Sequence, residues 1–570
     1  MKKFAKILKN PLFYIMNFVF LNWILLFQIT KLAPPDFYKY YFAGEKLIKG
    51  NLKVSFIPPL FPLSILTVGK IITPFVKFLN PYITSGKLFS LLAGAGISFF
   101  SYKILKNFTN NFSLLGTLFI IISPFFLQFL CFPVTDFIYL FFVVSTFYFF
   151  IKGKRTLSLL TIVLGMLTRF EGILLLFAYF IRFFVFKKKD YLKYFFVVLT
   201  TFPLLYLFYY KFGFRFIKKI ILVFSTKSFL FFFYHPEHLM YILHSGIMAF
   251  IPARSPSFVH NTLFFSLIIF FFWGAFFIFK REFRFSLSLL FYEVSFALGK
   301  GYVFANSFTI LPGEHNLRRF LSFVFLFYII SFVGWYAFLK YIKDKLNKEV
   351  FLYLRFTFYP LAFIFVFYKY LFSGTILFLS SLFLLPVILL FVKRIQLKSI
   401  EKAIIVFLFF AFFSGFYLKS YKKAYKYTAS TPNKGAFMIA KWINEEGERL
   451  KVKRIVVLSS LPIVRFYLKR KVTLIRFYPR EEKFYKTEKN LKSFLIKHLK
   501  NSKVKFLAFE WYLNPLDRPG ETALKNFLFK IGRDNEDFLL EKNLIFENKL
   551  VGRIMRIKNK SFQKKSHFVL

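Results

Sequence analysis

Long apolar runs separated by short clusters of lysine and arginine most limit how this chain can fold. Runs close to the roughly 20 residues that a helix needs to cross a bilayer recur between residues 11 and 418. Hydrophobic residues fill 57% of the 570 positions, which is the composition of a membrane protein. The pattern predicts an α-helical polytopic membrane protein.

The formal net charge of +55 has two interpretations. Clustered lysine and arginine can neutralise nucleic-acid phosphates. Here, however, the basic clusters sit directly beside apolar runs, at residues 152–155, 187–189, 340–345 and 393–402. Positive charge in that position fixes the orientation of insertion, with the basic loop on the cytoplasmic side. The charge therefore predicts membrane topology, and we expect no nucleic-acid partner.

Span length and loop charge together predict about 13 transmembrane helices, with a cytoplasmic amino terminus. The first, residues 11–30, is too long for a signal peptide and lacks a clear cleavage site, so we interpret it as a retained span. The other predicted spans cover residues 83–105, 113–131, 135–151, 157–168, 172–186, 191–210, 258–279, 285–304, 320–339, 351–371, 376–392 and 403–418. This scheme makes residues 1–420 a transmembrane domain with an external loop at residues 32–78.

One loop does not fit the scheme, because residues 211–227 are basic yet fall outside. Apolar residues at helical spacing indicate a helix in the membrane interface there, and a misplaced span is the alternative. From residue 421 the composition changes to short β-branched runs among charged residues. That change predicts a C-terminal soluble α/β domain at residues 421–570, on the external side because the span count is odd. Its predicted elements are helices at residues 434–447, 482–499 and 522–531 and strands at 454–460, 471–477, 504–510, 538–546 and 550–557.

Common enzyme signatures are missing from the sequence, which has no Gly-rich phosphate loop, no HExxH and no GxSxG. The single cysteine, Cys131, rules out an intramolecular disulfide and a cysteine-based zinc cluster. His235 and His238 form the nearest approach to a metal motif, but two histidines three apart are weak evidence, and an ordinary polar loop is the better interpretation. Chemistry in this chain must therefore rely on carboxylates and cations near the ends of spans.

The most informative carboxylate is Asp36, just past the external end of the first span in an apolar and aromatic segment. Such surroundings can raise the basicity of a carboxylate and exclude water, so Asp36 could accept a proton from a hydroxyl group. By position alone, a solvated loop residue or a helix cap after Pro35 is the alternative.

Four motifs, in order, resemble the GT-C superfamily of polyprenyl-phosphate-dependent membrane glycosyltransferases, in particular the protein O-mannosyltransferase and aminoarabinose transferase-like group. The first is Asp36 with its aromatic helix and the PPLFPL run at residues 58–63, which resembles the first external loop of that superfamily. The others are VTDFIYLFF at residues 134–142, GMLTRFEGILLL at 165–176 and HNLRRFLSFVF at 315–325.

The resemblance implies transfer of a sugar from a polyprenyl-phosphate donor to an acceptor hydroxyl at the external face of the plasma membrane, with inversion and with Asp36 as general base. The departing lipid phosphate needs cations, and Arg169, Arg318, Arg319 and Lys218 are the candidates. Anchoring of these side chains in the interface is the competing interpretation.

Asp136 and Glu171 are candidate supporting acids, because they lie at predicted external ends of spans. Either could bind a metal or hold an arginine, and an ion pair with Arg169 is the simpler expectation for Glu171. GT-C members differ in their use of a divalent cation, so the resemblance leaves a metal open. The acceptor also stays open among a glycolipid, a glycan and a protein.

Two functions from other classes compete. A transporter or flippase for a lipid-linked glycan would have paired charges at the bilayer midplane and repeat symmetry between its halves, and the sequence has neither pattern. A receptor or scaffold would tolerate replacement of Asp36.

Overall fold

A computed structural model describes residues 10–29, 32, 37–49, 57–76, 80–183, 257–305, 320–345, 406, 410, 413–422, 424, 434–452, 454–458, 461–469, 472–477, 505–510, 538–546 and 548–557. The chain divides into two compact units. The first comprises Met1–Lys31 and Tyr40–Ala429, and the second comprises Leu32–Lys39 and Ser430–Leu570.

The first unit is helical throughout its described part. Its helices are α1 (Pro11–Ile29), α2 (Phe37–Ile48, which begins in the second unit), α3 (Leu60–Ile72), α4 (Pro81–Thr109), α5 (Ser113–Ile121), α6 (Pro124–Leu130), α7 (Thr135–Ile151), α8 (Arg155–Thr168), α9 (Gly172–Phe183), α10 (Ser257–Arg281), α11 (Phe283–Ala305) and α12 (Leu321–Lys345). Helices α2 and α3 lie in the predicted external loop at residues 32–78, and the other helices overlap the predicted spans. The predicted spans at 191–210, 351–371 and 376–392 lie outside the described residues.

Among the described residues, α4 and the Leu321–Ile342 part of α12 are each long and apolar enough to cross a membrane. Helices α5 and α6 are together long and apolar enough for a further crossing. They meet at 59°, so they would form one broken span. The sequence predicts one continuous helix over residues 113–131. The break arises at Pro124, which has no N–H to donate, while the Ser123 hydroxyl caps α6 by accepting from the Phe126 N–H at 3.2 Å.

Two glycines bring α10 and α12 into close contact. A side chain at Gly274 would collide with the Ile330 carbonyl, and one at Gly334 would collide with the Phe270 carbonyl. Only glycine permits backbones in a helical bundle to approach this closely. The pair therefore fixes where the two helices cross.

Basic side chains gather at one end of the helical unit. Arg182 at the end of α9 donates to the Phe150 carbonyl at 3.2 Å and pairs with Glu282 at 3.4 Å, between α10 and α11. The Arg155 guanidinium lies 5.6 Å from the centre of the Phe183 ring. These contacts bring together the basic clusters before α8 and after α10, as expected if both lie on one side of a membrane.

The second unit contains a five-stranded sheet with the order β2-β1-β3-β5-β4. Its strands are β1 (Arg454–Leu458), β2 (Thr473–Phe477), β3 (Lys505–Glu510), β4 (Phe538–Phe546) and β5 (Lys549–Ile557). Strands β2, β1 and β3 run parallel, and β5 pairs antiparallel with both β3 and β4. Helix α13 (Lys434–Glu445) buries Ile439 and Ile443 in a core that also contains Ile455 and Val457 of β1.

The sequence predicts each of these strands to within two residues, but not the short helix α14 (Leu461–Tyr467). The predicted helices at 482–499 and 522–531 lie outside the described residues. Segment 32–39 joins this unit from the other end of the chain, and the Phe37 ring packs edge-on against Phe466 of α14 at 5.8 Å between ring centres.

Candidate active site

Asp136, Arg169 and Glu171 form one ion-paired group, which we call the arginine cluster. Arg169 is the first residue beyond α8, Glu171 directly precedes α9, and Asp136 lies in the first turn of α7. The Arg169 guanidinium donates to Asp136 Oδ1 and to both oxygens of Glu171, at 3.1 and 2.9 Å. The turn between α8 and α9 is thereby tied to the start of α7.

The arginine cluster is largely shielded from solvent. The Asp136 side chain is 5% exposed, and those of Arg169 and Glu171 are 18% and 20% exposed. Buried charges are tolerated when they are paired and hydrogen-bonded, and here a single guanidinium hydrogen-bonds to two carboxylates and balances the charge of one. The cluster therefore carries a formal charge of −1, and Arg169 keeps only part of its donor capacity for a ligand.

A hydrogen bond joins the first loop to this cluster. Tyr40 in α2 has its hydroxyl 3.1 Å from the Thr135 hydroxyl, and both side chains are buried. Thr135 directly precedes Asp136, and Tyr40 follows Asp36 by four residues. The Tyr40 ring is held edge-on against Phe61 of α3, so the bond does not depend on a freely rotating side chain.

A second connection, which we call the hydroxyl chain, consists of Tyr139, Tyr292 and Ser322. The Tyr139 and Tyr292 hydroxyls lie 3.1 Å apart, and Tyr292 donates to Ser322 Oγ at 3.1 Å. All three residues are buried. The chain links α7, α11 and the first turn of α12, and it begins one helical turn after Asp136.

Comparisons with known proteins identify structures that share the fold of this chain. No protein-family model matches the sequence, and no curated protein sequence matches it. Two crystal structures of ArnT from Cupriavidus metallidurans do match the structure. The apo form has a TM-score of 0.53 at 13% identity, covering 95% of this chain and 97% of ArnT. The form bound to undecaprenyl phosphate has a TM-score of 0.51 at 12% identity, covering 94% and 96%. The chain has a GT-C-like fold.

Within this GT-C-like fold, three separate hydrogen-bonded groups connect the other three motifs to the second motif in the first turns of α7, the fourth motif through Tyr292. The first loop contributes Tyr40, the second motif Thr135, Asp136 and Tyr139, the third Arg169 and Glu171, and the fourth Ser322. These residues are up to 282 positions apart in the sequence, Tyr40 to Ser322. The motifs therefore describe one place in the GT-C-like fold.

Asp136, Arg169 and Glu171 are the predicted site residues that the structure brings into contact, and the expected Glu171–Arg169 ion pair is present. Asp36, Lys218, Arg318 and Arg319 lie outside the described residues, as do His235 and His238. In the chain, Asp36 directly precedes α2, and Arg319 directly precedes Phe320, which begins the next described segment.

Five residues of this site were not predicted as site residues, namely Tyr40, Thr135, Tyr139, Tyr292 and Ser322. Tyr40 and Tyr139 belong to recognised motifs, at one-turn spacing from Asp36 and Asp136, and that spacing could have identified them. Tyr292 belongs to none of the motifs. Its only sequence signal is the polar pair Tyr292–Glu293 inside an apolar span.

The described residues offer little for a metal ion. None of them form a group of three or more His, Cys, Asp or Glu side chains that could hold one. At the arginine cluster the only carboxylates are Asp136 and Glu171, and both are hydrogen-bonded to Arg169. A divalent cation would need three or more oxygen ligands free of such a bond.

Proposed function

We propose that this protein is an integral membrane glycosyltransferase that moves a sugar from a polyprenyl-phosphate donor to an acceptor hydroxyl. The convergence of four motifs from distant parts of the sequence on the first turns of α7, through three hydrogen-bonded groups, carries the proposal. The GT-C-like fold supports it, and one of the matching ArnT structures is bound to undecaprenyl phosphate. A cluster built from the ends of several helices is a usual place for such a site.

In this proposal Asp36 is the general base. A carboxylate that takes the proton from the acceptor hydroxyl as its oxygen attacks the anomeric carbon makes that oxygen a better nucleophile. Direct attack on the side opposite the lipid phosphate inverts the anomeric configuration. The hydrogen bond between the Tyr40 and Thr135 hydroxyls supports the assignment, because it secures the helix that directly follows Asp36 in the sequence.

The leaving group is a lipid phosphate, whose charge rises as the glycosidic bond breaks. Arg318, Arg319 and Lys218 are proposed as the cations that stabilise it, with help from the remaining N–H groups of Arg169. Because Asp136 and Glu171 already bond to Arg169, the supporting acids hold this guanidinium in place.

The topology is part of the same proposal. About 13 spans, a cytoplasmic amino terminus and an external C-terminal domain at residues 421–570 would put Asp36 and the arginine cluster on the external side of the plasma membrane. The gathering of basic side chains at the other end of the helical unit supports this orientation. Acceptors on that side include glycolipids, glycans and proteins.

The test uses the full chain in proteoliposomes with a radiolabelled sugar on polyprenyl phosphate and a cell-envelope extract as the source of acceptors. Radioactivity should move from the lipid carrier into acceptor material, and empty liposomes should give none. A chain that moves the intact lipid-linked sugar across the bilayer without breaking the sugar–phosphate bond would be a flippase, and the proposal would then be wrong.

A further inference from the structure

Starting from the proposed function, we infer that Tyr292 is a positioning residue for the donor site, acting through the hydroxyl chain on the relative placement of α7 and α12. It does not touch the reacting atoms in this account. Its part is to hold the first turn of α12, which follows Arg318 and Arg319, in register with the first turn of α7, which carries Asp136.

The direction of the hydroxyl chain follows from its geometry. Tyr292 donates its proton to Ser322 Oγ, so it accepts from Tyr139. Tyr292 is therefore the only member that bonds to both of the others. Removing its oxygen breaks both hydrogen bonds, whereas removing the Tyr139 or the Ser322 hydroxyl breaks one of these two.

Hydrogen bonds are suited to fixing the register of helices in this setting. The hydrophobic effect is non-directional, whereas a hydrogen bond requires a defined distance and angle. A buried hydroxyl that loses its partner carries the full cost of its desolvation. Because all three residues are buried, that cost opposes any rotation of α7, α11 or α12 that would separate their hydroxyls.

The sequence offsets link this register to the site. Tyr139 lies three residues after Asp136 in α7, and residues three apart in a helix stand close together on the same side. Asp136 in turn bonds to Arg169, one of the proposed donor cations. The hydroxyl chain thus connects the turn of α7 that holds Arg169 to the first turn of α12.

The Tyr292 ring has contacts of its own that do not involve the hydroxyl. It packs edge-on against Phe147, with 5.5 Å between ring centres. The centre of the Phe296 ring lies 5.7 Å from that of Tyr292. Tyr292→Phe should therefore fold with the ring in place and lose the hydrogen bonds alone.

Tyr417→Phe is the matched control. The Tyr417 hydroxyl also makes one short buried bond between helical segments, to Asn22 Oδ1 of α1 at 2.8 Å, but it is not part of the hydroxyl chain. Both variants lose one oxygen from a buried tyrosine of the same helical unit, so a general cost of that loss would appear in both.

The experiment measures initial rates of sugar transfer in proteoliposomes against polyprenyl-phosphate-sugar concentration, together with thermal unfolding in detergent. We expect Tyr292→Phe, which loses both hydrogen bonds of the chain, to raise the KM for the donor about tenfold with kcat within about twofold. Tyr417→Phe should keep the parent KM. Ser322→Ala should raise the KM too, and Tyr292→Phe/Ser322→Ala should be no worse than Tyr292→Phe.

An unchanged donor KM in Tyr292→Phe would overturn the inference, whatever the unfolding temperature of that variant. A purely structural role would change the unfolding temperature and leave the donor KM unchanged. An equal rise in KM for Tyr417→Phe would overturn it as well. If the parent chain transfers no sugar, the proposed function is wrong, and so is this inference, which rests on it. Transfer by the parent with a parent-like KM in Tyr292→Phe refutes the inference alone.

Discussion

The hydroxyls of Tyr40 and Thr135 lie 3.1 Å apart, which bonds the helix following Asp36 to the residue preceding Asp136. In the sequence, Asp36 lies four residues before Tyr40, and Asp136 directly follows Thr135.

Replacing Arg169 by methionine should strongly destabilise the helical unit. The change leaves Asp136, which is 5% exposed, and Glu171 without their shared partner, and an uncompensated buried charge costs about 3–5 kcal/mol. The stability of Arg169→Lys should lie between those of the parent and the methionine variant, since a lysine cannot donate to both Glu171 oxygens in a fork. Thermal unfolding in detergent measures the order parent, lysine, methionine. Equal stability of the methionine variant and the parent would contradict the pairing.

Replacing Gly334 by alanine should loosen the contact between α10 and α12. The added methyl collides with the Phe270 carbonyl, and backbone cannot move aside as a flexible side chain can. We expect about 1–3 kcal/mol lower stability and lower accumulation in membranes. Gly165→Ala is the control, because its methyl would lie 3.4 Å from the nearest atom, Phe142 Cβ. Similar losses for both variants would argue against close packing at Gly334.

A double-mutant cycle tests the contact between Phe37 and Phe466. Both rings are buried, so each alanine replacement alone should cost about 3–5 kcal/mol. The edge-to-face pair should appear as a coupling of about 0.5–1.5 kcal/mol. Denaturant unfolding of the full chain, followed by Trp442 fluorescence in the second unit, provides the four free energies. Strict additivity would mean that the two rings do not contact each other.

The second unit should also have a modest pH dependence. The ammonium of Lys542 donates to Glu446 at 3.0 Å, and this hydrogen bond with its accompanying charge attraction lowers the pKa of Glu446. A carboxyl with a lowered folded pKa stabilises the fold above its unfolded pKa of about 4.3, and that contribution is lost as the pH falls through the folded value.

The measurement compares unfolding at pH 7 and pH 3 in the parent, in Glu446→Gln and in Glu445→Gln. The acid-induced loss should shrink in Glu446→Gln. It should persist in Glu445→Gln, because the ion pair of Glu445 with Lys441 is longer, at 3.9 Å. The side chains of Lys542 and Glu446 are 47% and 36% exposed, so high salt should also reduce the stabilisation that this pair provides. An acid response in Glu446→Gln equal to that of the parent would contradict the assignment.

Helix positions could be predicted from the sequence because apolar run length and flanking lysines are local signals. Helix α7 has the predicted bounds, and the strands of the second unit lie within two residues of theirs. The bend between α5 and α6 was missed, because an apolar run that contains Pro124 has the same hydropathy whether it is straight or broken.

The site was predictable only where charge made residues conspicuous. Asp136, Arg169 and Glu171 are rare charges at the ends of apolar runs, so each draws attention, and opposite charges at neighbouring ends are expected to pair. Tyr40 and Tyr292 are two of 33 tyrosines, and which of these hydroxyls meet depends on how distant helices pack. Local sequence patterns do not contain that information.

The most direct test of the account is the rate of sugar transfer by Asp36→Asn in proteoliposomes, beside the parent and Asp344→Asn, a control at an exposed aspartate near the end of α12. The amide has nearly the shape of the carboxylate but cannot accept the proton, so transfer should fall by at least about 100-fold while donor binding and accumulation stay at parent levels. Asp344→Asn should transfer normally. Parent-like transfer by Asp36→Asn would contradict the account and leave Asp136 or Glu171 as the remaining candidates for the base.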